Sequence, residues 1–317
     1  MVISVVFSFY NEEDNIPELV RRVRAALRPV VGREYEMIFV NDRSTDNSLT
    51  LLKAEADREH DVKIVNMSRN FGVSVCALAG MRYAKGDVVI YLDADLQDPP
   101  ELIPTLLETW KREQADVVHT VRTRREGENP VKLLITKIGY RILRKLSNIH
   151  LTENAGDYKL LSRRAVDHLL TLQEKQPFLR GLVVWVGFKQ TQVQYVREPR
   201  FKGATKFPVF GHRVIGNFLE SALISFSDVP LKVSLIIGFI IAFGAFIYLL
   251  IVVVMKLMGY NLPGWSAIMV TMLMLGGIQL ITIGMLGLYI NSIYLETKKR
   301  PNYIVESAYG FDNEMRD

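Results

Sequence analysis

Cysteine is nearly absent. The one residue, Cys76, excludes an intramolecular disulfide and suits a reducing compartment. With 5 histidines in the chain, no Cys/His metal cluster forms in the sequence. No Gly-x-Ser-x-Gly elbow, phosphate-binding P-loop or paired-glycine dinucleotide fingerprint occurs either. Thiol chemistry, serine hydrolysis and ATPase activity therefore have no support. Internal repeats, low-complexity segments and a Gly/Ser-rich linker are also missing. The opening MVISVVFSFYNEED lacks a basic start and a long apolar run, so it reads as a strand and not as a signal peptide. A net charge of +5 is modest. Its placement matters more than its size, and it makes no case for a nucleic-acid partner.

Charge is absent from two long stretches, residues 233–255 and 266–292. Each exceeds the roughly 20 residues that a helix needs to cross a bilayer. Lys232 precedes the first, Lys298, Lys299 and Arg300 follow the second, and Lys256 is the single cation of the connecting loop. The positive-inside rule then puts both the long N-terminal region and the tail on the cytoplasmic side of a cell membrane. The expectation is a multi-pass membrane protein with most of its mass in the cytoplasm.

Apolar, β-branched runs alternate with helical periods up to about residue 121. Strands are expected at 2–9, 36–40, 62–67, 87–92 and 116–121, with helices at 15–31, 45–58, 74–83 and 100–112. That alternation predicts an α/β fold, a Rossmann-like and mostly parallel sheet with helices on both faces. Right-handed crossovers gather the strand C-termini along one edge, where ligands bind. Farther on, residues 131–146 carry Lys132, Lys137, Arg141, Arg144 and Lys145 beside an apolar stripe. A second stripe, Phe210, Val214, Phe218, Ala222 and Phe226, precedes the first long apolar run. The basic segment suits a helix lying on an anionic membrane surface. The second stripe suits such a helix and the protein core equally.

Acids collect at the expected strand ends. YLDADLQDPP brings Asp93, Asp95 and Asp98 together after a buried-looking strand, VND ends another with Asp42, and YNEED offers Glu12 after the first. Carboxylates this close repel one another unless a cation compensates them. Hard divalent ions such as Mg²⁺ and Mn²⁺ take one or two carboxylates, and water and substrate phosphates complete the shell. An Asp-Ala-Asp at a strand end thus suits a metal-bound diphosphate. Arg122 and Arg124, with Arg200 and Lys206 in REPRFKGATKF, stand where a phosphate-handling site needs cations.

FSFYNEEDNI, VNDRSTDNS, MSRNFG, YLDADLQDPPELI, GDYKLLSRRAV and REPRFKGATKF together resemble family 2 glycosyltransferases, in the branch that moves sugar from a nucleotide to a polyprenyl phosphate. Within it the motifs are most similar to bacterial bactoprenol glucosyltransferases, with dolichyl-phosphate mannose synthases as cousins. The resemblance implies a GT-A domain, a nucleotide-sugar donor (UDP-glucose foremost), Mg²⁺ or Mn²⁺, and inversion at the anomeric carbon. It implies that Ser8, Tyr10, Glu12 and Asp42 hold the nucleoside, and that Asp93, Ala94, Asp95 and Gln97 meet the diphosphate and metal. Arg200 and Lys206 would grip the leaving diphosphate, and Arg122 and Arg124 would meet the acceptor phosphate, with Lys132, Lys137 and Arg141 toward the lipid. Asp157 would act as a base, orient the sugar or organise the metal shell. A homo-oligomer, by resemblance a tetramer, and a place in cell-surface glycan modification are further implications. Two positions depart from the family. Ser8 stands where proline is usual, and Arg43 where glycine or another small residue is common.

These readings divide the chain into a catalytic domain over 1–206, an amphipathic interface helix over 207–230, two membrane helices within 231–292 (about 232–256 and 266–291), and a basic cytoplasmic tail over 293–317. A processive polysaccharide synthase fits less well, because Gln-x-x-Arg-Trp is missing and the spans are too few. A non-catalytic scaffold would be marked by degenerate acids, whereas Asp42, Asp93, Asp95 and Asp157 are all present.

Overall fold

The computed structural model describes residues 1–125, 155–198, 201, 229–260 and 264–311. The elements in its first part follow the expected alternation: β1 (Ile3–Phe9), α1 (Ile16–Val31), β2 (Tyr35–Asn41), α2 (Ser48–Arg58), β3 (Val62–Met67), α3 (Val73–Tyr83), β4 (Val88–Asp93), α4 (Ile103–Glu113) and β5 (Val117–Arg125). Then come β6 (Ala155–Ser162), α5 (Arg163–Thr171), α6 (Leu179–Trp185), β7 (Gln190–Arg197), α7 (Val229–Leu257), α8 (Trp265–Thr297) and β8 (Val305–Tyr309).

One eight-stranded sheet has the order β7-β5-β6-β4-β1-β2-β3-β8. The pairs β1–β2, β1–β4, β2–β3 and β5–β7 are parallel, whereas β4–β6, β5–β6 and β3–β8 are antiparallel. Every residue of β1 and β2 is buried, as expected for strands covered on both faces. Helix α1 shows how the cover is made. Ile16, Leu19, Val20, Val23 and Leu27 bury one side at helical spacing, Pro17 occupies the first turn, and Gly32 ends the helix at φ +64°. Gly80 of α3 lies so near the sheet that an added Cβ would meet Val6 at 2.4 Å and Val40 at 2.8 Å. That closeness brings the start of α3 down beside the end of β2.

The tail is more than a basic extension. Val305–Tyr309 forms β8 and lies antiparallel to β3, so part of 293–317 belongs to the sheet. The edge of β3 offered unpaired backbone groups, and five residues of ordinary composition suffice to satisfy them.

The two apolar helices form a unit of their own. α7 and α8 are each long and apolar enough to cross a membrane, over Leu231–Met255 and Met274–Thr297. Their large apolar residues, such as Phe239, Phe243, Leu280 and Ile281, are exposed. Solvent water would oppose that surface. The amphipathic segments expected at 131–146 and 207–230 lie largely or wholly outside the described residues.

Candidate active site

β4 ends at Asp93, which stands in register with Ser8 of β1. From there the chain alternates. Asp93, Asp95 and Gln97 are half-buried, while Ala94, Leu96 and Asp98 are buried. Leu96 holds φ +57°, a costly conformation for a branched side chain, and the Gln97 amide donates to Asp95 Oδ1 at 3.1 Å. The strained turn keeps the side chains of Asp93, Asp95 and Gln97 partly open and anchors those of Ala94, Leu96 and Asp98. Among the described residues no three acidic, histidine or cysteine side chains converge tightly enough to hold an ion alone. Two aspartates and an amide suit a Mg²⁺-like ion that keeps substrate phosphates and water in its shell.

The acids here are unevenly compensated. Burial first, then the charges of Asp157, Asp95 and Asp98, push Asp93 up to about 7. Its hydrogen-bond partner is the Tyr91 hydroxyl at 3.1 Å, and Tyr91 is bonded to Ser8 Oγ at 2.8 Å. Asp157 on β6 behaves in the opposite way. Burial acts to raise it, but the guanidinium of Arg180, followed by Lys159 and Arg122, holds it well below the usual carboxylate range. Arg180 of α6 donates from Nε to Asp157 Oδ1 at 2.8 Å and from Nη2 to Oδ2. Both carboxylate oxygens are thus engaged, which favours an orienting or charge-organising role over that of a base.

Arg122, expected at the acceptor phosphate, is largely buried in this structure. Its side chain is 10% exposed and pairs with fully buried Asp98 at 3.5 Å, while Nε donates to Tyr195 Oη at 3.0 Å. The Tyr195 hydroxyl in turn donates to Asp98, and Arg197 Nε lies 3.5 Å from the same carboxylate. The guanidinium expected at the acceptor phosphate is therefore committed to the loop that carries Asp93 and Asp95. Gly156 makes this possible, since a Cβ there would come within 2.8 Å of Arg122 Nη2. The same loop is tied to the end of β7 a second time, by the Glu198 amide donating to the Gln97 carbonyl at 3.0 Å. Arg124 lies in β5 opposite Val196.

The β1 and β2 ends interlock through neutral donors. Asn11, at φ +54°, takes a bond from the Thr45 amide at 2.7 Å and gives its own amide to Ser44 Oγ at 2.9 Å. The Glu12 amide donates to Ser48 Oγ at 2.9 Å, and the Glu13 amide to Asp46 Oδ2 at 3.1 Å. Buried Glu12 accepts from Asn15 Nδ2 at 2.5 Å. Asp42 accepts from the amides of Phe71 and Gly72 at 2.6 and 3.0 Å, just before α3. Tyr10, beside Asn11 in the chain, is exposed. Arg43 has φ +65°, which explains why a small residue is favoured there, and its guanidinium reaches Glu306 of β8 at 2.7 Å.

The structure thus brings Ser8, Tyr10, Glu12, Asp42, Asp93, Ala94, Asp95, Gln97, Arg122 and Asp157 to one edge of the sheet. Arg200, Lys206, Lys132, Lys137 and Arg141 lie outside the described residues. Arg180, Lys159 and Tyr91 were missed. Arg180 and Lys159 did leave a trace, each being a lone cation in a short apolar run, FLRGLVVW and YKLL.

A family model described as glycosyl transferase family 2 matches residues 4–170. A protein of Bacillus subtilis strain 168 named uncharacterized glycosyltransferase YkcC is 41% identical over 98% of this chain and 95% of its own length. A prophage bactoprenol glucosyl transferase homolog of Escherichia coli K12 is 38% identical over 96% of this chain and 99% of its own. Among solved structures, glucosyl-3-phosphoglycerate synthase of Mycobacterium tuberculosis, in complex with Mn²⁺, UDP-glucose and phosphoglyceric acid, has a TM-score of 0.45 and 21% identity over 64% of this chain and 72% of that one. The family match spans β1 to α5 and so takes in the acidic edge from Ser8 to Asp157, and with relatives 41% and 38% identical over nearly its whole length, this chain belongs to glycosyl transferase family 2.

Proposed function

We propose that this chain transfers a hexose, with UDP-glucose the leading donor, to a polyprenyl phosphate of the undecaprenyl type at the cytoplasmic face of a cell membrane. One observation carries the reading: an acidic strand-end site and two helices long enough to cross a membrane occur in one chain. A soluble acceptor would explain the first and leave the second without purpose. The full-length likeness to a bactoprenol glucosyl transferase homolog supports the same acceptor class.

The donor's nucleoside would lie against Ser8, Tyr10, Glu12 and Asp42. Asp93, Asp95 and Gln97 would hold Mg²⁺ or Mn²⁺ with the diphosphate, and the ion would supply positive charge to the leaving group. Arg200 and Lys206 would grip that diphosphate from the segment after β7. A phosphate monoester has a second pKa of about 6, so at neutral pH the acceptor is mostly a dianion and needs no general base. Its oxygen attacks the anomeric carbon from the face opposite the diphosphate. The new C–O bond forms as the old one breaks, the nucleoside diphosphate keeps the electron pair, and the configuration inverts. Arg180 would keep Asp157 ionised and fixed beside the reacting sugar. Arg122 would act one step back, by holding the 93–98 loop through Asp98.

The sheet domain and the tail would be cytoplasmic, with the short loop near residue 261 outside. Lys132, Lys137 and Arg141 would hold the domain at the anionic surface, each worth about 1 kcal/mol there. A homo-oligomer, a tetramer by resemblance, belongs to the same reading. Cysteine labelling at positions 261 and 313 should report opposite sides, and equal labelling from one side would refute the hairpin. For the reaction itself, the purified full chain is offered undecaprenyl phosphate, Mn²⁺ and a panel of radiolabelled nucleotide sugars. Label should enter the lipid phase from UDP-glucose above all. Label from another donor would reassign the sugar, and none from any donor would refute the transfer.

A further inference from the structure

The chain runs from α8 to β8 through residues 298–304, and this tail is fastened to the sheet domain along its length. Lys175 Nζ donates to the Arg300 carbonyl at 2.7 Å, Asn302 Nδ2 to the Glu174 carbonyl at 2.7 Å, and the Ser68 amide to the Ile304 carbonyl at 3.0 Å. Tyr309 Oη donates to Asp57, and the Phe311 ring lies 5.0 Å from that of Tyr83. Within β8 the ladder is irregular. Asn66 of β3 pairs with Ser307 and Met67 with Val305, so Glu306 is an extra residue between them. A β-bulge of this kind re-aims a side chain. Here Glu306 Oε2 accepts from Asn66 Nδ2 at 2.6 Å and from Arg43 Nη1 at 2.7 Å.

From Asn66 the bonds continue inward. Asn66 and Asn41 are register partners on β3 and β2, and both are buried. Asn41 Nδ2 donates to Asn66 Oδ1 at 2.8 Å, the Ser44 amide to Asn41 Oδ1 at 2.9 Å, and the Asn11 amide to Ser44 Oγ at 2.9 Å. A carboxylate only accepts, whereas an amide side chain both donates and accepts. Glu306 therefore fixes which way Asn66 faces, Asn66 fixes Asn41, and Asn41 presents its oxygen to the turn that carries Asp42. The Arg43 contact is the weaker of the two routes. Both of its partners are about half exposed, and such pairs contribute little. The buried amides cannot reverse without stranding a donor or an acceptor, so they carry the effect.

We propose that Glu306 is a positioning residue for the nucleotide donor, acting through Asn66 and Asn41 to hold the 41–45 turn in its binding shape. The proposal rests on the reading of Asp42 and its neighbours as the nucleoside site. It makes the donor pocket depend on a residue that follows both membrane-length helices in the chain. Glu306 touches no part of the donor in this account and acts only through the relay.

Two measurements on the full chain in detergent test it: calorimetric titration with UDP in the presence of Mn²⁺, and amide hydrogen exchange of residues 41–48. Asp42→Ala should lose UDP binding; if it binds UDP as wild type does, the nucleoside reading falls and the proposal with it. With that control met, Glu306→Ala should bind UDP about tenfold more weakly and exchange the 41–48 amides about tenfold faster, while β1 and β4 stay protected. The KM for UDP-glucose should rise by the same factor with kcat within about twofold, which a general loss of stability would not produce. Glu306→Gln keeps an acceptor oxygen for Asn66 and should stay within about threefold of wild type. Asn66→Ala breaks the same relay, so it should match Glu306→Ala, and the double variant should be no weaker than either alone. Wild-type UDP affinity in folded Glu306→Ala overturns the proposal and leaves the nucleoside reading intact. So does an equal loss in Glu306→Gln, or additive losses in the double variant. If Glu306→Ala does not accumulate, Asn66→Ala decides on the same measurements, and wild-type affinity there is equally fatal.

Discussion

The two halves of the sheet's functional edge handle charge in opposite ways. At the ends of β1 and β2, the acids Glu12, Glu13, Asp42 and Asp46 are met by backbone amides and neutral side chains, with Ser44, Thr45 and Ser48 bridging the two loops. At the ends of β4 to β7, Asp98 and Asp157 are met by Arg122, Arg197 and Arg180, with Lys159 buried nearby. The first half is a rigid, hydrogen-bonded frame suited to a nucleoside, which brings no charge of its own. The second holds ion pairs at Asp98 and Asp157 beside an Asp93 that other aspartates repel, an arrangement suited to a diphosphate and a cation that arrive and leave. Substitutions should therefore act chiefly on donor binding in the first half and on turnover in the second.

The largest effect is expected at the point where charge balance meets the ion. Asp95→Asn should abolish transfer while the protein still folds and inserts, and EDTA should do the same to wild type until Mg²⁺ or Mn²⁺ is added back. Near-normal turnover of Asp95→Asn at saturating Mn²⁺ would break the comparison. Next comes Arg180→Ala. It strands a partly buried carboxylate, an effect worth about 3 kcal/mol, so kcat should fall roughly 100-fold with the donor KM little changed. A change confined to KM would move Arg180 into the binding half.

Gly156→Ala should be milder. The new methyl displaces a guanidinium that Asp98 and Tyr195 hold, and about 1 kcal/mol of disorder in the 93–98 loop would lower kcat up to tenfold. Unchanged kinetics would mean that Arg122 yields freely and does not organise the loop. The smallest effect belongs to the neutral half. Ser48→Ala removes one acceptor from the Glu12 amide, about 1 kcal/mol, so the donor KM should rise several-fold with kcat intact. A kcat defect there would show that the nucleoside frame also sets turnover.

Much of this edge was legible because strand ends are punctuated in the sequence. A β-branched run followed by acids marks the site at Asp42 and Asp93, and charge-free stretches mark α7 and α8. The partners were harder to read. Arg122 looks like a phosphate ligand in sequence, since nothing local shows that Asp98, Tyr195 and Gly156 fold around it from three other segments. Arg180 sits in an apolar septet whose helix is only two turns long, too short for periodicity to reveal which way it points. β8 escaped notice for a related reason. Val305–Tyr309 has no long apolar run and follows a membrane-length helix, yet Tyr309 pairs with Ile64 and Glu306 reaches both Arg43 and Asn66. Long-range register decides such cases, and a single strand's composition does not.

The most direct test joins the charged half of the edge to a lipid product. Wild-type and Asp95→Asn full-length chains, purified and placed in liposomes, are incubated with undecaprenyl phosphate, UDP-glucose and Mn²⁺, and the lipids are analysed by mass spectrometry. The account predicts a species equal to the lipid phosphate plus one hexose from wild type, and none from the variant. The same lipid species from Asp95→Asn, or a soluble polymer in place of a monoglycosylated lipid from wild type, would contradict it.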